Sequence, residues 1–186
     1  MWHGPVGIRL SEVEAYAGLR DPGSHAFRGV TPRTAVMFGP PGHAYVYFSY
    51  GMHHCVNVVC EPEGRAGAVL LRAGEVIHGE DQARERRDVG RTVRHPRQNL
   101  ARGPARLTQA LGVDLGHNGL DLCGPSAELY IEGGPAVPAS RIRAGARVGV
   151  SGPGGDGTTY PWRFWIDGEP TVSTYRPGRV AARGLQ

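Results

Sequence analysis

The sequence predicts a single α+β domain built on a mostly antiparallel, curved β-sheet with a few short helices. Three observations carry this reading. Strand-type apolar alternation fills the first part of the chain, two helix-like segments follow, and strand-like stretches then return among glycine-rich turns; strands, then helices, then strands is the α+β order. Glycine (29) and proline (15) make up nearly a quarter of the 186 residues, so turns are frequent and helices short. That length favours one domain, 1–186, over two.

The elements follow in order. Residues 6–17 read as a strand, with Ile8, Leu10, Val13 and Ala15 apolar around Ser11, Glu12 and Glu14. Arg20-Asp21-Pro22-Gly23-Ser24 and Gly39-Pro40-Pro41-Gly42 are turn clusters. Between them, Thr31-Pro32-Arg33-Thr34 can start a short helix carrying Val36, Met37 and Phe38. Residues 44–50 form an aromatic β-run, and 54–60 and 68–72 read as two buried strands around the Glu63-Gly64 turn. Residues 80–87 and 104–111 are helical in composition, the second with proline in its first turn and Gly112 as a stop. Residues 129–132, 147–150 and 163–167 complete the set as short strands, and neither an internal repeat nor a linker is visible.

Charge narrows the chemistry. All 21 cationic side chains other than histidine are arginine, so a Schiff-base lysine and a phosphate-loop lysine are both ruled out for this sequence. Segment 80–106 holds eight arginines (84, 86, 87, 91, 94, 97, 102 and 106) against four acids, Glu80, Asp81, Glu85 and Asp88, and so contains the whole net charge of +4. Such a concentration fits either an anionic partner, with phosphate backbone foremost, or a solvated loop. No stretch approaches the ~20 apolar residues of a membrane span, and no basic-apolar leader opens the chain. Cys55, Cys60 and Cys123 form neither an even disulfide set nor a CxxC pair, which fits a reducing cytoplasm.

Several residues could carry chemistry. On a strand, Glu12, Glu14 and Tyr16 share a face. They form either a solvated strand face or a carboxylate beside an aromatic pocket, able to activate water as general base. Tyr45 and Tyr47 likewise share a face, with Tyr50 at the strand end before Gly51. These are either half-buried sheet filler or a stacking platform with a wedge at its tip, the arrangement that holds an extruded base and fills the gap it leaves. His53-His54-Cys55 with Cys60 invites a zinc reading, but neighbours on a strand point to opposite faces and no second compact ligand cluster is present, so no metal and no cofactor are expected. The 152–157 glycine loop lacks the lysine and spacing of a phosphate loop.

Taken together, Glu12-Val13-Glu14-Ala15-Tyr16, Ser24-His25, Thr31-Pro32-Arg33 and the run from Met37 through Tyr45-Val46-Tyr47 and Tyr50-Gly51-Met52 to Asn57-Val58 closely resemble the alkyladenine (3-methyladenine) DNA glycosylase family. Leu70-Leu71-Arg72-Ala73, the 103–111 segment and Arg147-Val148-Gly149-Val150 continue the likeness in order, over roughly residues 8–175. The resemblance implies a fold like the formyltransferase C-terminal domain and a monofunctional enzyme of base excision repair. It implies Glu14 as the general base, with Arg72 and the Val148 carbonyl positioning the attacking water. Tyr16, His25 and Tyr47 become walls of a base pocket, Asn57 the residue screening exocyclic groups, and Tyr50 the residue that replaces the flipped nucleotide. The family normally begins with a further apolar helix and strand, whereas this sequence starts almost at the Glu12–Tyr16 strand; either the domain is trimmed or the start codon is assigned late, which bears on core stability more than on catalysis.

The expected partner is double-stranded DNA containing damaged purines, bound by a monomer, cytoplasmic and at the nucleoid in a bacterium. Arg84, Arg86, Arg87, Arg102 and Arg106 are candidate contacts to its backbone. With no lysine, only the N-terminal amine remains to attack the sugar, and nothing marks it as placed for this, so a monofunctional, water-using enzyme is expected. A lesion-binding protein that flips without excising is the alternative, and Glu14 argues against it because a mere base pocket has no use for a water-activating carboxylate. A metal-dependent nuclease would instead cut strands in a chelator-sensitive way.

Overall fold

The fold is described from a computed structural model over residues 1–49, 51–90, 92–124 and 127–178. Within these residues the elements run β1 (Trp2–His3), β2 (Val6–Tyr16), β3 (Ala44–Ser49), β4 (His53–Val59), β5 (Ala68–His78), α1 (Glu80–Arg87), α2 (Pro104–Leu111), β6 (Leu129–Tyr130), β7 (Ile142–Gly145) and β8 (Arg163–Ile166). Every strand pairing is antiparallel, in the order β3-β4-β5-β2-β1-β6, with β8 joining β2 to β7. The product is a single α+β domain with a curled sheet, two helices and several short 3-10 turns.

β2 is the axis of this sheet. One edge pairs with β5; the other pairs with β1 at its start (Trp2 opposite Gly7) and with β8 at its end (Glu14 opposite Arg163). In its pairing with β5 the register jumps from Leu10 opposite Gly74 to Glu12 opposite Ala73, leaving Ser11 as a bulge. An inserted residue reverses which positions face the core. Before it, Val6, Ile8 and Leu10 pack on the core; after it, Val13 does so, and Glu12, Glu14 and Tyr16 turn to the opposite face. The bulge thereby converts one strand from a core element into one wall of a site.

The main core lies between the sheet and the helices. Val6, Ile8, Val46, Val56, Leu71, Val76 and Leu129 of the sheet meet Ala83 of α1, Leu107 and Leu111 of α2, and Leu100 and Leu122 from the connections. Burying each such leucine is worth roughly 1.5–3 kcal/mol. α2 begins with Pro104 and ends at Gly112, whose φ of +75° gives the left-handed cap that lets its N–H reach back to the Gln109 and Thr108 carbonyls. A smaller cluster of Ala26, Met37, Tyr45, Val59, Ala66 and Ala68 fastens the 25–38 segment to β3 and β4.

Several sequence expectations need correction. The stretch 147–150 is not a strand: Gly149 turns the chain at φ +73°, and the Val148 N–H is bonded to the Glu14 side chain instead of a neighbouring strand. The strand is the preceding β7, whose largely exposed residues lack the apolar alternation that would announce it. The 31–38 segment forms only a 3-10 turn, Ala35–Phe38. β5 runs on to His78 because β2 pairs with it along its whole length. No helix among the described residues is long and apolar enough to cross a membrane.

Candidate active site

A cavity of about 630 Å³ opens where the far face of β2 meets β3, β4, β5 and the 147–151 loop, a size typical of small-ligand pockets. Tyr16, His25, Arg33, Tyr45, Tyr47, Cys55, Asn57, Arg72, Pro104 and Val148 are among its lining residues. Glu14 lies immediately behind this lining and is fully buried. Its Oε1 accepts the Val148 N–H at 2.7 Å; its Oε2 accepts the Tyr16 hydroxyl at 2.8 Å and Arg72 Nη1 at 3.3 Å. A carboxylate offers about four acceptor positions, so three are taken and one remains for water.

The aromatic walls are held by their own contacts. Tyr16 lies against the Arg147 guanidinium, whose central carbon is 4.5 Å from the ring centroid. Arg147 is completely buried; it donates to both Asp21 oxygens (2.6 and 2.7 Å) and to the Ala15 and Gly154 carbonyls. One side chain therefore anchors three chain segments and carries Val148, its neighbour, up to Glu14. Burial and then the Glu14 charge raise the Tyr16 pKa well above its ordinary value, so its hydroxyl remains a proton donor to Glu14. Tyr47 is raised too, first by burial and then by Cys55. Tyr45 and Tyr47 lie 5.5 Å apart on one face of β3, as the alternation implied.

His25 stands at the rim, edge-on to Tyr47 at 4.6 Å, with Nδ1 3.1 Å from the Tyr45 hydroxyl and Nε2 3.4 Å from Arg33 Nη2. Desolvation, followed by the Arg33 charge, lowers its pKa from 6.5 to about 4, so at neutral pH it is an uncharged imidazole. Asn57 is buried, and its amide nitrogen donates to the Tyr45 carbonyl at 2.9 Å, which fixes how its polar edge faces the pocket. The structure thus brings together Glu14, Arg72, Val148, Tyr16, His25, Tyr47 and Asn57. Tyr50 lies outside the described residues.

The basic segment is placed differently. Arg84 donates to Glu80 and the His95 carbonyl, Arg86 to the Ala110 and Leu111 carbonyls at the end of α2, and buried Arg87 to the Leu100 carbonyl and Gln109. These three arginines fasten α1 and the following loop to α2. Arg102 donates to the Val172 carbonyl at 2.8 Å, and Arg106 is exposed.

Sequence reasoning assigned no role to Arg33, Cys55, Arg147 or Arg163. Arg33 was visible only as part of the Thr31-Pro32-Arg33 motif. Arg147 was likewise visible only within the Arg147-Val148-Gly149-Val150 motif, and its pairing was hidden because its partner Asp21 is 126 residues away. Among the described residues no three His, Cys, Asp or Glu side chains are grouped to hold a metal ion.

Aromatic walls, polar groups at their edge and a buried carboxylate behind them make a pocket suited to a planar ring. Residues 1–170 match the family described as methylpurine-DNA glycosylase (MPG), and the chain belongs to that family. It is accordingly a DNA glycosylase, a hydrolase of N-glycosidic bonds, and its substrate is damaged DNA. Similar proteins carry the name "Putative 3-methyladenine DNA glycosylase". One from Streptomyces avermitilis is 58% identical over 93% of this chain and 78% of its own length. Others from Frankia casuarinae (50% identical; 96% and 84%) and Leifsonia xyli (52% identical; 93% and 79%) are alike in extent.

Proposed function

We propose that this chain is a monofunctional 3-methyladenine DNA glycosylase that flips an alkylated or deaminated purine out of duplex DNA and hydrolyses its glycosidic bond, leaving an abasic site. The observation that carries the reading is Glu14: a buried carboxylate with three donors fixed around it and one acceptor position left, set just behind an aromatic slot. A purine alkylated at a ring nitrogen carries positive charge and is already a good leaving group. The site has to hold the ring, place a water and stabilise the oxocarbenium-like sugar that forms as the bond breaks. Tyr16 and Tyr47 stack on the ring and neutral His25 meets its edge. Asn57 screens the exocyclic groups, and Arg72 with the Val148 carbonyl positions the water from which Glu14 takes a proton.

No lining residue of the cavity carries a primary amine, the nucleophile that strand-cutting glycosylases use. The likeness to the family makes Tyr50 the wedge. A groove of about 750 Å³ lined by Met52, His53, His54, His95 and Arg106 adjoins the same β3–β4 turn. It supports a duplex path in which Arg106 meets phosphates, while Arg84, Arg86 and Arg87 contribute mainly by holding the helices that shape it; Arg102 lies outside this lining and is tied to the Val172 carbonyl. We take the protein to act as a monomer, in the cytoplasm and on nucleoid DNA in a bacterium. The test is product analysis on dimethyl-sulfate-treated duplex DNA with chelator present. Free methylpurines and strands that break only after alkali are expected. Strand scission before alkali, or a covalent adduct trapped by borohydride, refutes the water-only mechanism.

A further inference from the structure

Two carboxylates, not one, sit on the site face of β2. Glu12 is as buried as Glu14, yet the mechanism above gives it nothing to do. It accepts four hydrogen bonds: from Arg72 Nε at 2.9 Å, Arg163 Nε at 2.7 Å, the Ser173 N–H at 2.6 Å and the Ser173 hydroxyl at 2.9 Å. Arg72 is divided among three partners. Its Nε goes to Glu12, its Nη1 reaches Glu14 at 3.3 Å, and its Nη2 reaches the Ser173 hydroxyl at 3.4 Å.

An arginine paired with one carboxylate tends to close on it through two short parallel bonds, at about 2.7–2.9 Å. Here Arg72 forms no such pair: its one short bond, from Nε at 2.9 Å, goes to Glu12, and Glu14 receives a single longer contact at 3.3 Å. If Arg72 turned fully onto Glu14, it would occupy the last acceptor position and neutralise the carboxylate that must take the water's proton. Resting on the reading of Glu14 as general base, we infer that Glu12 is a positioning residue for base excision: by holding Arg72 through Nε it keeps one acceptor position of Glu14 open to water.

The device has to be charged to work. Burial alone would raise the Glu12 pKa, but Arg72, the Ser173 N–H and Arg163 outweigh it and leave the carboxyl below its ordinary value, ionised at neutral pH. Glu12, Glu14, Arg72 and Arg163 form one buried set of paired side chains. Removing one member leaves its partner buried and unpaired, a folding cost that a test must separate from the effect on rate.

Three variants make that separation: Glu12→Gln, the pair Glu12→Gln/Arg163→Gln, and Ser173→Ala, which removes only the hydroxyl bridging Glu12 and Arg72. Each is measured for single-turnover release of methylpurines from dimethyl-sulfate-treated duplex DNA, for Kd on a duplex carrying a tetrahydrofuran abasic analogue, and for Tm. Small misplacements in a reacting constellation cost on the order of 100-fold. Glu12→Gln should therefore slow release by about ten- to a hundred-fold with Kd unchanged. The paired variant should regain Tm without regaining rate, and Ser173→Ala should slow release by a smaller factor.

Release at the wild-type rate in Glu12→Gln overturns the inference, as does a paired variant that recovers rate together with Tm, since Glu12 would then be only a counter-ion for Arg163. If Glu12→Gln does not fold, an unchanged rate in Ser173→Ala overturns it equally. Wild-type protein that binds the analogue but releases no base would instead defeat the general-base reading, and this inference with it.

Discussion

Glu14→Gln is the most direct perturbation of the site, and its consequences can be worked from the hydrogen bonds. The glutamine amide keeps the shape of the side chain but offers one oxygen and one NH₂ where the carboxylate had two oxygens. The nitrogen cannot replace Oε1, because the Val148 N–H points there at 2.7 Å and a backbone donor cannot reverse. It must replace Oε2, where the Tyr16 hydroxyl can rotate from donating to accepting but Arg72 Nη1 loses its acceptor. One charge-assisted bond is lost, about 1.5–3 kcal/mol. For a chain of this length that lowers Tm by roughly 2–4 °C per kcal/mol, so the fold survives. Loss of a general base costs about 10²- to 10⁴-fold in rate, or about 3–5 kcal/mol at 1.36 kcal/mol per decade. In the assay, lesion-containing duplex should still be retained in a gel shift, while single-turnover release of free methylpurine falls by about 10³-fold. Release within about tenfold of wild type, well inside the range expected for a lost base, would refute the role of Glu14.

Other consequences follow from the same geometry. Asp21→Ala strands the fully buried Arg147 charge and should cost about 3–5 kcal/mol, lowering Tm in a thermal melt by about 10 °C; a melt unchanged within error would deny the pair its structural role. His25 has its pKa depressed to about 4, so it is uncharged above that value. Its NMR titration should show no step near 6.5, and protonation as pH falls through about 4 should remove the stability that its neutral form contributes above 6.5. Arg33→Ala should move that titration upward, and a wild-type step near 6.5 would contradict the arrangement. Binding to duplex DNA should weaken with salt, and Arg106→Gln should reduce the log–log slope by about one. Arg86→Gln should lower Tm and leave the slope unchanged, whereas equal slopes in wild type and Arg106→Gln would remove Arg106 from the DNA interface. Tyr50→Ala should weaken binding to lesion-bearing duplex far more than to single strands, and equal losses would speak against a wedge.

Much of the frame was legible because its signals are local. Proline at the start of α2 and glycine after it marked both of its ends, and the tyrosines of β3 announced a shared face through simple alternation. The pairing of Glu12, Glu14 and Tyr16 on one face was legible for the same reason. What remained hidden was which face, because that depends on the bulge at Ser11, which arises from pairing with β5 about sixty residues later. The strand reading of 147–150 failed for a related reason. Alternation of arginine and valine with glycine looks like a strand, but the Val148 N–H is claimed by a side chain 134 residues away. The concentration of arginines in 80–106 was legible as charge, whereas the intramolecular use of Arg84, Arg86 and Arg87 could not be, since their acceptors are mainly backbone carbonyls at the end of α2 and in the 95–100 loop.

The placement of charge around Glu14 can be set against the chemistry proposed for it. A general base for glycosidic hydrolysis must be desolvated enough to act on a single water, yet an isolated buried carboxylate would take up a proton and lose that capacity. Under the proposed role of Glu14, the donors around it are what matter: a backbone N–H that cannot rotate, a tyrosine hydroxyl whose own pKa is raised, and an arginine held mainly by a neighbouring carboxylate. Each of these is itself supported from behind, Val148 and Tyr16 by Arg147 with Asp21, and Arg72 by Glu12 with Ser173. Because the two supports share no residue, they should fail separately. Loss of Asp21 should cost stability and ring placement together, and loss of Glu12 should cost rate.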